Sequence, residues 1–571
     1  GSYNTSMGVA ALDANTTGGS NVAIGNGALS TNTTADNNTA VGTNALLANT
    51  TGSTNTSVGS ASMSSNTTGS FNTALGYNAM AANTTGDSNV AIGWAALDAN
   101  TTAAENTAIG KNSLTANTTG GLNTGIGASA LSSNTTGQYN TAVGGQALQA
   151  NTTASNNVAV GLNALLVNTT GTDNTAVGTF ALDANTTGGD NTAIGKNALT
   201  VNTTGDNNVA VGSLALDANT TANDNVAVGV LALTSNSTGT ANVAIGRDAL
   251  EANTTANHNT AVGYDALKSN TTGVSNVAVG SSALDALTTG NQNVAVGKNA
   301  LGSLTTGSQS VAVGHGALAV ATAGSNIAIG YHSSVSLTSG DSCVTMGYEA
   351  GEDITTGSHH TLIGFRAGMN ITTSNYNTIM GSNASASMTT GSQNTCYGYG
   401  SGTSIVDGSN NLMFGFNANV SASGRSELVI ATAEVGKGDG TGFIAPPGNG
   451  NLFQGNNTTT FATTSDRRIK KNIVDNNSGL EKINQIQVRN FEYKTAEEIT
   501  ELPTHTAIKK EGLQLGVIAQ EVEDILPDIV HTEDTGCKTV NADNMTWYLV
   551  NAVKELSAQV EELKTKLNEG E

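Results

Sequence analysis

The 571-residue sequence has little of what ordinary globular cores are made from. Aromatic residues are 4% of the chain and charged residues 11%, and 4 prolines stand against 69 glycines. So few large side chains cannot fill the several separate cores this length would otherwise imply, and repetition must fill it. Three cysteines, Cys343, Cys396 and Cys537, form neither a CxxC pair nor an even set, which argues against a disulfide framework or structural zinc. No run of 18 apolar residues occurs and the first residues lack the pattern of a signal peptide, so no membrane insertion is expected. The net charge is −22 with no basic patch over residues 1–464, which argues against nucleic acid. His359 and His360 would point to opposite faces of a strand and read as ordinary surface residues. Neither metal nor cofactor is expected.

What is present is a period. Glycines recur at Gly8, Gly25, Gly42 and Gly59 through Gly314, then Gly330 to Gly415, in steps of 17 residues with one of 16. This makes 25 copies of N-T-A-V-G-x-x-A-L-x-x-N-T-T-G-x-x. Fixed-period self-similarity marks a stack in which each copy buries its face against its neighbours. Glycine about every ten residues excludes a helical repeat, while Val, Ile, Thr and Asn suit short strands and turns. The copy reads as a strand, a bend at Gly, a second strand and a turn at Thr-Gly. In Val243-Ala244-Ile245 the first and third residues share one face and Ala244 takes the other. Coils stacked at ~4.8 Å give a rod of roughly 115 Å.

Columns of the repeat carry direction. The twelfth place is Asn from Asn15, Asn32 and Asn49 to Asn270, then Leu287, Leu304, Ala321, Leu337, Ile354, Ile371 and Met388. A column that takes Asn or an aliphatic residue faces inward, where stacked amides bond along the column. A second Asn column, from Asn4 and Asn21 to Asn411, should do the same. Inward placement would also shield the Asn-Thr-Thr sequons. Acidic residues of the tenth column, Asp13, Asp98, Asp183, Asp217, Glu251 and Asp285, read as solvent-facing. The pattern is similar to the β-roll heads of trimeric autotransporter adhesins and to phage fibre repeats, which implies a trimeric shaft.

After Gly415 the period fails, so residues 416–464 read as the shaft's end and a connector. Gly436 to Gly440 lacks the order of a phosphate loop. Composition then changes: Lys, Arg, Asp and Glu make up 33 of the residues from 466 on, with helical periodicity. This gives a shaft over 1–415, a connector over 416–464 and a small α+β domain over 465–571. The domain opens on Ser465-Asp466-Arg467-Arg468-Ile469-Lys470-Lys471-Asn472 and continues to Gly516-Val517-Ile518-Ala519-Gln520-Glu521-Val522, Leu526-Pro527 and Trp547-Tyr548-Leu549. These blocks resemble the self-cleaving intramolecular chaperone of endosialidase-type phage tailspikes and fibres.

That resemblance implies a trimerising domain that templates the upstream β-structure and cuts itself off, with Asn472, Gly516, Gln520 and Glu521 in its motif. It implies Ser465 as nucleophile and Lys470 as base, the amine made neutral by burial. The family pattern places the cut between Ser465 and Asp466. Attack on the preceding carbonyl closes a five-membered ring, which favours Thr464–Ser465. From Leu549 through Val553, Leu556, Val560, Leu563 and Leu567, steps of four and three mark a coiled-coil seam.

The expectation is a mostly β, solenoid-like homotrimeric fibre on a virion. It would bind a host cell-surface receptor or glycan and join a baseplate or tail through an N-terminal part absent from this sequence. A polysaccharide depolymerase would need paired carboxylates, which the shaft does not concentrate. An ice-binding or cell-surface adhesin would need more than one outward Thr row.

Overall fold

The structure, a computed structural model, describes residues 1–436, 438–445, 452–454, 467–503, 507–508, 510–533 and 536–570. The chain divides into two compact units, Gly1–Thr464 and Ser465–Glu571.

The first unit is a parallel β-solenoid of 26 turns with ~17 residues each. Every turn gives one short strand, from Thr5–Met7 and Val22–Ile24 to Leu412–Phe414 and Leu428–Ala431. Neighbours pair parallel and in register, Val158 opposite Thr175, Ala159 opposite Ala176, Val160 opposite Val177. Because side chains alternate, this register puts every strand's central residue on the same face. Ala159, Ala176 and Ala244 are fully buried, while the residues on either side are partly exposed. One level of the core holds Ala176, Ala181, Leu182 and Asn185, all inaccessible to water. Leu and Asn already fill most of that section, so the strand can contribute only a small residue.

The expected second strand is not a strand. After each repeat glycine the chain runs through turns in which every second residue is left-handed, as at Asn163 (φ 57°) and Leu165 (φ 53°). Alternating hands aim successive backbone groups along the stack, so this wall bonds to its neighbours as a strand would. Asn163 donates its N–H to Gly145 O at 3.1 Å in the preceding coil, and Leu165 to Ala181 O at 3.0 Å in the next. Left-handed Leu costs roughly 1–2 kcal/mol, which burial of its side chain, worth about 2 kcal/mol, offsets. The repeat glycine is more tightly constrained. Gly144 has φ +137°, and a Cβ there would lie 2.4 Å from Gly161 O.

Both Asn columns are inward ladders. Asn49 Nδ2 donates to Asn32 Oδ1 at 3.0 Å and to Gly52 O at 2.9 Å, and the pattern recurs to Asn270. There the next coil offers Leu287, and Asn270 Oδ1 is left without a hydrogen bond. In the second ladder each Asn accepts from the next Asn's backbone N–H, as Asn140 Oδ1 does from Asn157 at 3.1 Å. A third ladder was not anticipated: short acceptors at the turn take the preceding coil's N–H, Gly19 to Asp36 Oδ1 at 2.6 Å and Gln138 to Ser155 Oγ at 3.0 Å.

Other expectations are corrected. His360 is a buried rung of the second ladder, not a surface residue. Its Nδ1 faces the Asn377 N–H at 3.3 Å and its Nε2 lies 2.8 Å from Ser374 O. Burial pulls its pKa down to about 4. Asp98, Asp183, Asp217 and Asp285 are half-buried, and desolvation raises their pKa values. The sheet also runs on past Gly415: Leu412 pairs with Leu428 and Leu428 with Gly442, both parallel, before Leu452–Gln454 adds antiparallel. Steps of 16 and 14 residues hid these strands from a count of 17.

The core is redistributed in the late coils. Leu362, Ile379 and Met413 replace the central Ala, and the left-handed Leu position becomes Gly351, Gly368 and Gly402. A Cβ on Gly368 would sit 2.7 Å from Ile371 Cδ1 and 3.1 Å from Leu362 Cδ1. Bulk has moved from one wall to the other with the section conserved.

The second unit contains two antiparallel pairs, Arg489–Phe491 with Gln514–Gly516 and Val530–Thr532 with Lys538–Val540. Short helices span Leu480–Ile483 and Ala519–Glu523, and a long one Ala542–Asn568, capped by Asn541 accepting from the Asn544 N–H at 3.1 Å. Its core is small, Val522, Leu526 and Ile529 with Ile486, Val517, Ile525 and Tyr548 packed around them. No described helix is long and apolar enough to cross a membrane.

Candidate functional site

The junction begins where composition changes. Thr464, Ser465 and Asp466 lie outside the described residues. The next residues form a single 3-10 turn, Arg467–Ile469, closed by Lys470 donating its N–H to Arg467 O at 3.2 Å. Lys470 and Lys471 are exposed, and Asn472 follows in the left-handed region at φ 55°.

Further along, the segment is tied to the long helix. Asn551 Nδ2 donates to Asn476 O at 2.6 Å, and the Leu480 N–H donates to Glu555 Oε2 at 2.9 Å. Gly479 fits because any Cβ would lie 2.4 Å from the Ala552 nitrogen. Tyr548 donates its hydroxyl to Asp528 Oδ2 at 2.6 Å, a bond that raises the Tyr548 pKa.

The block 516–522 proves to be a strand end and the helix after it. Gly516 pairs with Arg489, and a Cβ on it would press on Phe491 Cε1 at 3.1 Å. Glu521, in the first turn of the helix, takes the Arg489 guanidinium with both oxygens, at 3.1 Å each. That bidentate bond raises the Arg489 pKa and clamps the helix to the strand. Gln520 beside it is exposed. Gly516 and Glu521 thus meet at Arg489, whereas Lys470 and Asn472 belong to the junction segment. Arg489 was not found from sequence, since 32 residues separate it from Glu521 and no local pattern links them.

The unit leaves much apolar surface open. Leu513, Leu515 and Trp547 are exposed, and so is the whole seam Leu549, Val553, Leu556, Val560, Leu563 and Leu567. Among the described residues the buried apolar side chains of this unit are Val522, Leu526, Ile529 and Ala552, a small core for its size. Among the described residues no cluster of His, Cys, Asp and Glu could hold a metal.

Residues 465–531 match the protein family described as chaperone of endosialidase. A curated relative, Long tail fiber protein Gp37 of Enterobacteria phage Ox2, is 29% identical over 131 residues. That alignment covers 22% of this chain and 46% of the relative, about half its length. The chain therefore carries a chaperone-of-endosialidase domain at residues 465–531, C-terminal to a β-solenoid.

Proposed function

We propose that this chain is one of three identical subunits of a phage tail fibre that attaches a virion to its host. Its C-terminal domain assembles the trimer and then removes itself. The observation that carries the reading is the outer face of the solenoid sheet. The third residue of the 26 strands is apolar throughout, from Met7, Ile24 and Val41 to Phe414 and Ile430. None of these is buried in the single chain. The first residue of each strand is Thr, Val, Ile or Leu. At ~4.8 Å per rung and ~10 Å width the strip of sheet face covers roughly 1,200 Å², with an unbroken hydrophobic column along one edge and Thr in half the places of the other. Three such strips facing one axis bury one another, as a closed ring of identical subunits requires. The open helix seam and small core of the second unit ask for the same partners.

Cleavage follows from assembly in this reading. Ser465 Oγ attacks a carbonyl at the junction while Lys470 takes its proton and returns it to the leaving amine; water then hydrolyses the ester, so that Ser465–Asp466 or Thr464–Ser465 is cut. Because Lys470 is exposed in one chain, neighbouring subunits must desolvate it, so cutting waits for the trimer. Sedimentation of the matured shaft tests the reading: three times the mass of the cleaved shaft chain is expected. A monomer with the strip exposed would end it. Imaging labelled shaft on virions tests the location.

A further inference from the structure

One outward column, the residue after each repeat glycine, changes character along the shaft. It carries Lys111, Lys196, Arg247 and Lys298 in earlier coils and so faces solvent. Near the C-terminal end it becomes a ladder of stacked rings. His315, Tyr331, Tyr348 and Phe365 follow one another at 5.4, 5.3 and 5.3 Å between centroids. Tyr399 and Phe416 stack at 5.3 Å two coils further on. Between them the column holds Ser382, locked in step by Asn383 N–H to Phe365 O at 2.8 Å and Gly400 N–H to Ser382 O at 3.0 Å. The ladder is missing one rung.

We propose that this gap is a sugar-binding slot, taking one pyranose ring of a cell-surface glycan between Phe365 and Tyr399. The idea rests on the fibre reading and names the class of receptor. Both walls are exposed, Phe365 by 44% and Tyr399 by 51%. Two strand spacings put the rings about 10 Å apart. A guest ring seated midway has its centre about 5 Å from each wall, the spacing of the ladder's own rungs. A pyranose chair with equatorial substituents, its axial C–H bonds directed at both faces, fills that space. Ser382 forms the floor, with Asn383 next to it, both partly exposed, so hydroxyls at the sugar's edge meet polar groups. Arg366, held by Glu349 at 2.7 Å, lies over the Tyr348 and Phe365 rings and fixes that wall.

The decisive variant completes the ladder. Ser382→Tyr adds a ring of the kind found in adjacent coils, so the shaft should fold and melt at or above the wild-type temperature, with the slot filled. Mature fibre would be tested by saturation-transfer NMR and calorimetry with cellohexaose and the N-acetylglucosamine hexamer, whose rings are all-equatorial, and with mannohexaose. The wild type should bind the equatorial oligomers, mannohexaose at least tenfold more weakly, and S382Y should lose tenfold or more in affinity and in adsorption to cells. If S382Y misfolds, Tyr399→Leu opens one wall and should show the same loss. Unchanged sugar binding and adsorption in both variants would overturn the slot while leaving the trimeric fibre standing. A wild-type chain that neither trimerises nor adsorbs would instead overturn the fibre reading.

Discussion

Replacing Asn151 by Asp exchanges an NH2 for an oxygen inside the ladder. Asn151 is fully buried; its Nδ2 donates to Asn134 Oδ1 at 2.8 Å and to Ala154 O at 3.0 Å, and its Oδ1 accepts from Asn168 Nδ2 at 3.3 Å. In Asn151→Asp the second oxygen faces two acceptors. A protonated Asp restores one of the two bonds, so the loss is about 1–3 kcal/mol per chain. An ionised Asp leaves an unpaired buried charge and costs about 3–5 kcal/mol. Desolvation raises the folded pKa of the new carboxyl above its unfolded value near ~3.9. The deficit is therefore smallest below that value and grows as pH rises through the folded pKa. Asn151→Leu, which mimics Leu287, should cost only about 1–2 kcal/mol, with no pH dependence. The assay is limited proteolysis and hydrogen exchange of the mature shaft at pH 4 and pH 8, each against wild type. Local opening around residue 151 should rise a hundredfold or more at pH 8 in N151D, because each coil leans only on its neighbours. Equal protection of N151D and wild type at both pH values would refute the inward ladder as a source of stability.

The remaining predictions share that shaft and its domain. His360→Asn restores the usual rung. Wild-type stability from neutral His360 is complete above pH 6.5 and is lost as pH falls toward about 4, so pH-dependent melting should flatten in the variant by about 3 kcal/mol over that window. Gly144→Ala places a Cβ against Gly161 O at 2.4 Å in a left-handed backbone, and should cost about 3 kcal/mol or abolish soluble shaft, read by melting and yield. Ser465→Ala should leave the purified chain uncut and Lys470→Ala should slow cutting, both still forming trimers, read by intact mass and sedimentation; cutting of Ser465→Ala at the wild-type bond and rate would assign cleavage to another protease.

The period, the inward twelfth column and the change of composition at Ser465 were legible because each depends on spacing or residue type alone. The left-handed wall was not, since Leu at φ 53° contradicts every local preference and is held only by its neighbours' hydrogen bonds. His360 could have been found: counting 17 from Asn326 gives Cys343, His360, Asn377 and Asn394, one column of one ladder. Arg489 could not, because its partner Glu521 is brought to it only by the fold.

The strand itself carries the deepest ambiguity. Val243-Ala244-Ile245 shows alternation but not which face is inside, and transfer free energy alone would bury Val and Ile and expose Ala. Volume decides otherwise. Each coil already encloses Leu and Asn from its other walls, so the strand can send inward only Ala244, and the larger pair must go out. Where the other walls shrink, as at Gly351 and Gly368, the strand centre grows to Leu362 and Ile379. The core section is thus conserved while its contributors change, and the outer third residue stays hydrophobic throughout although the first is Thr in half of the strands. A second demand must hold it so, because the inner core does not use it. In the trimer reading that demand is another core, built between chains. One chain alone would then hold one third of a shared core, which gives a physical reason for a chaperone domain to follow a shaft whose outer hydrophobic column is left open in the single chain.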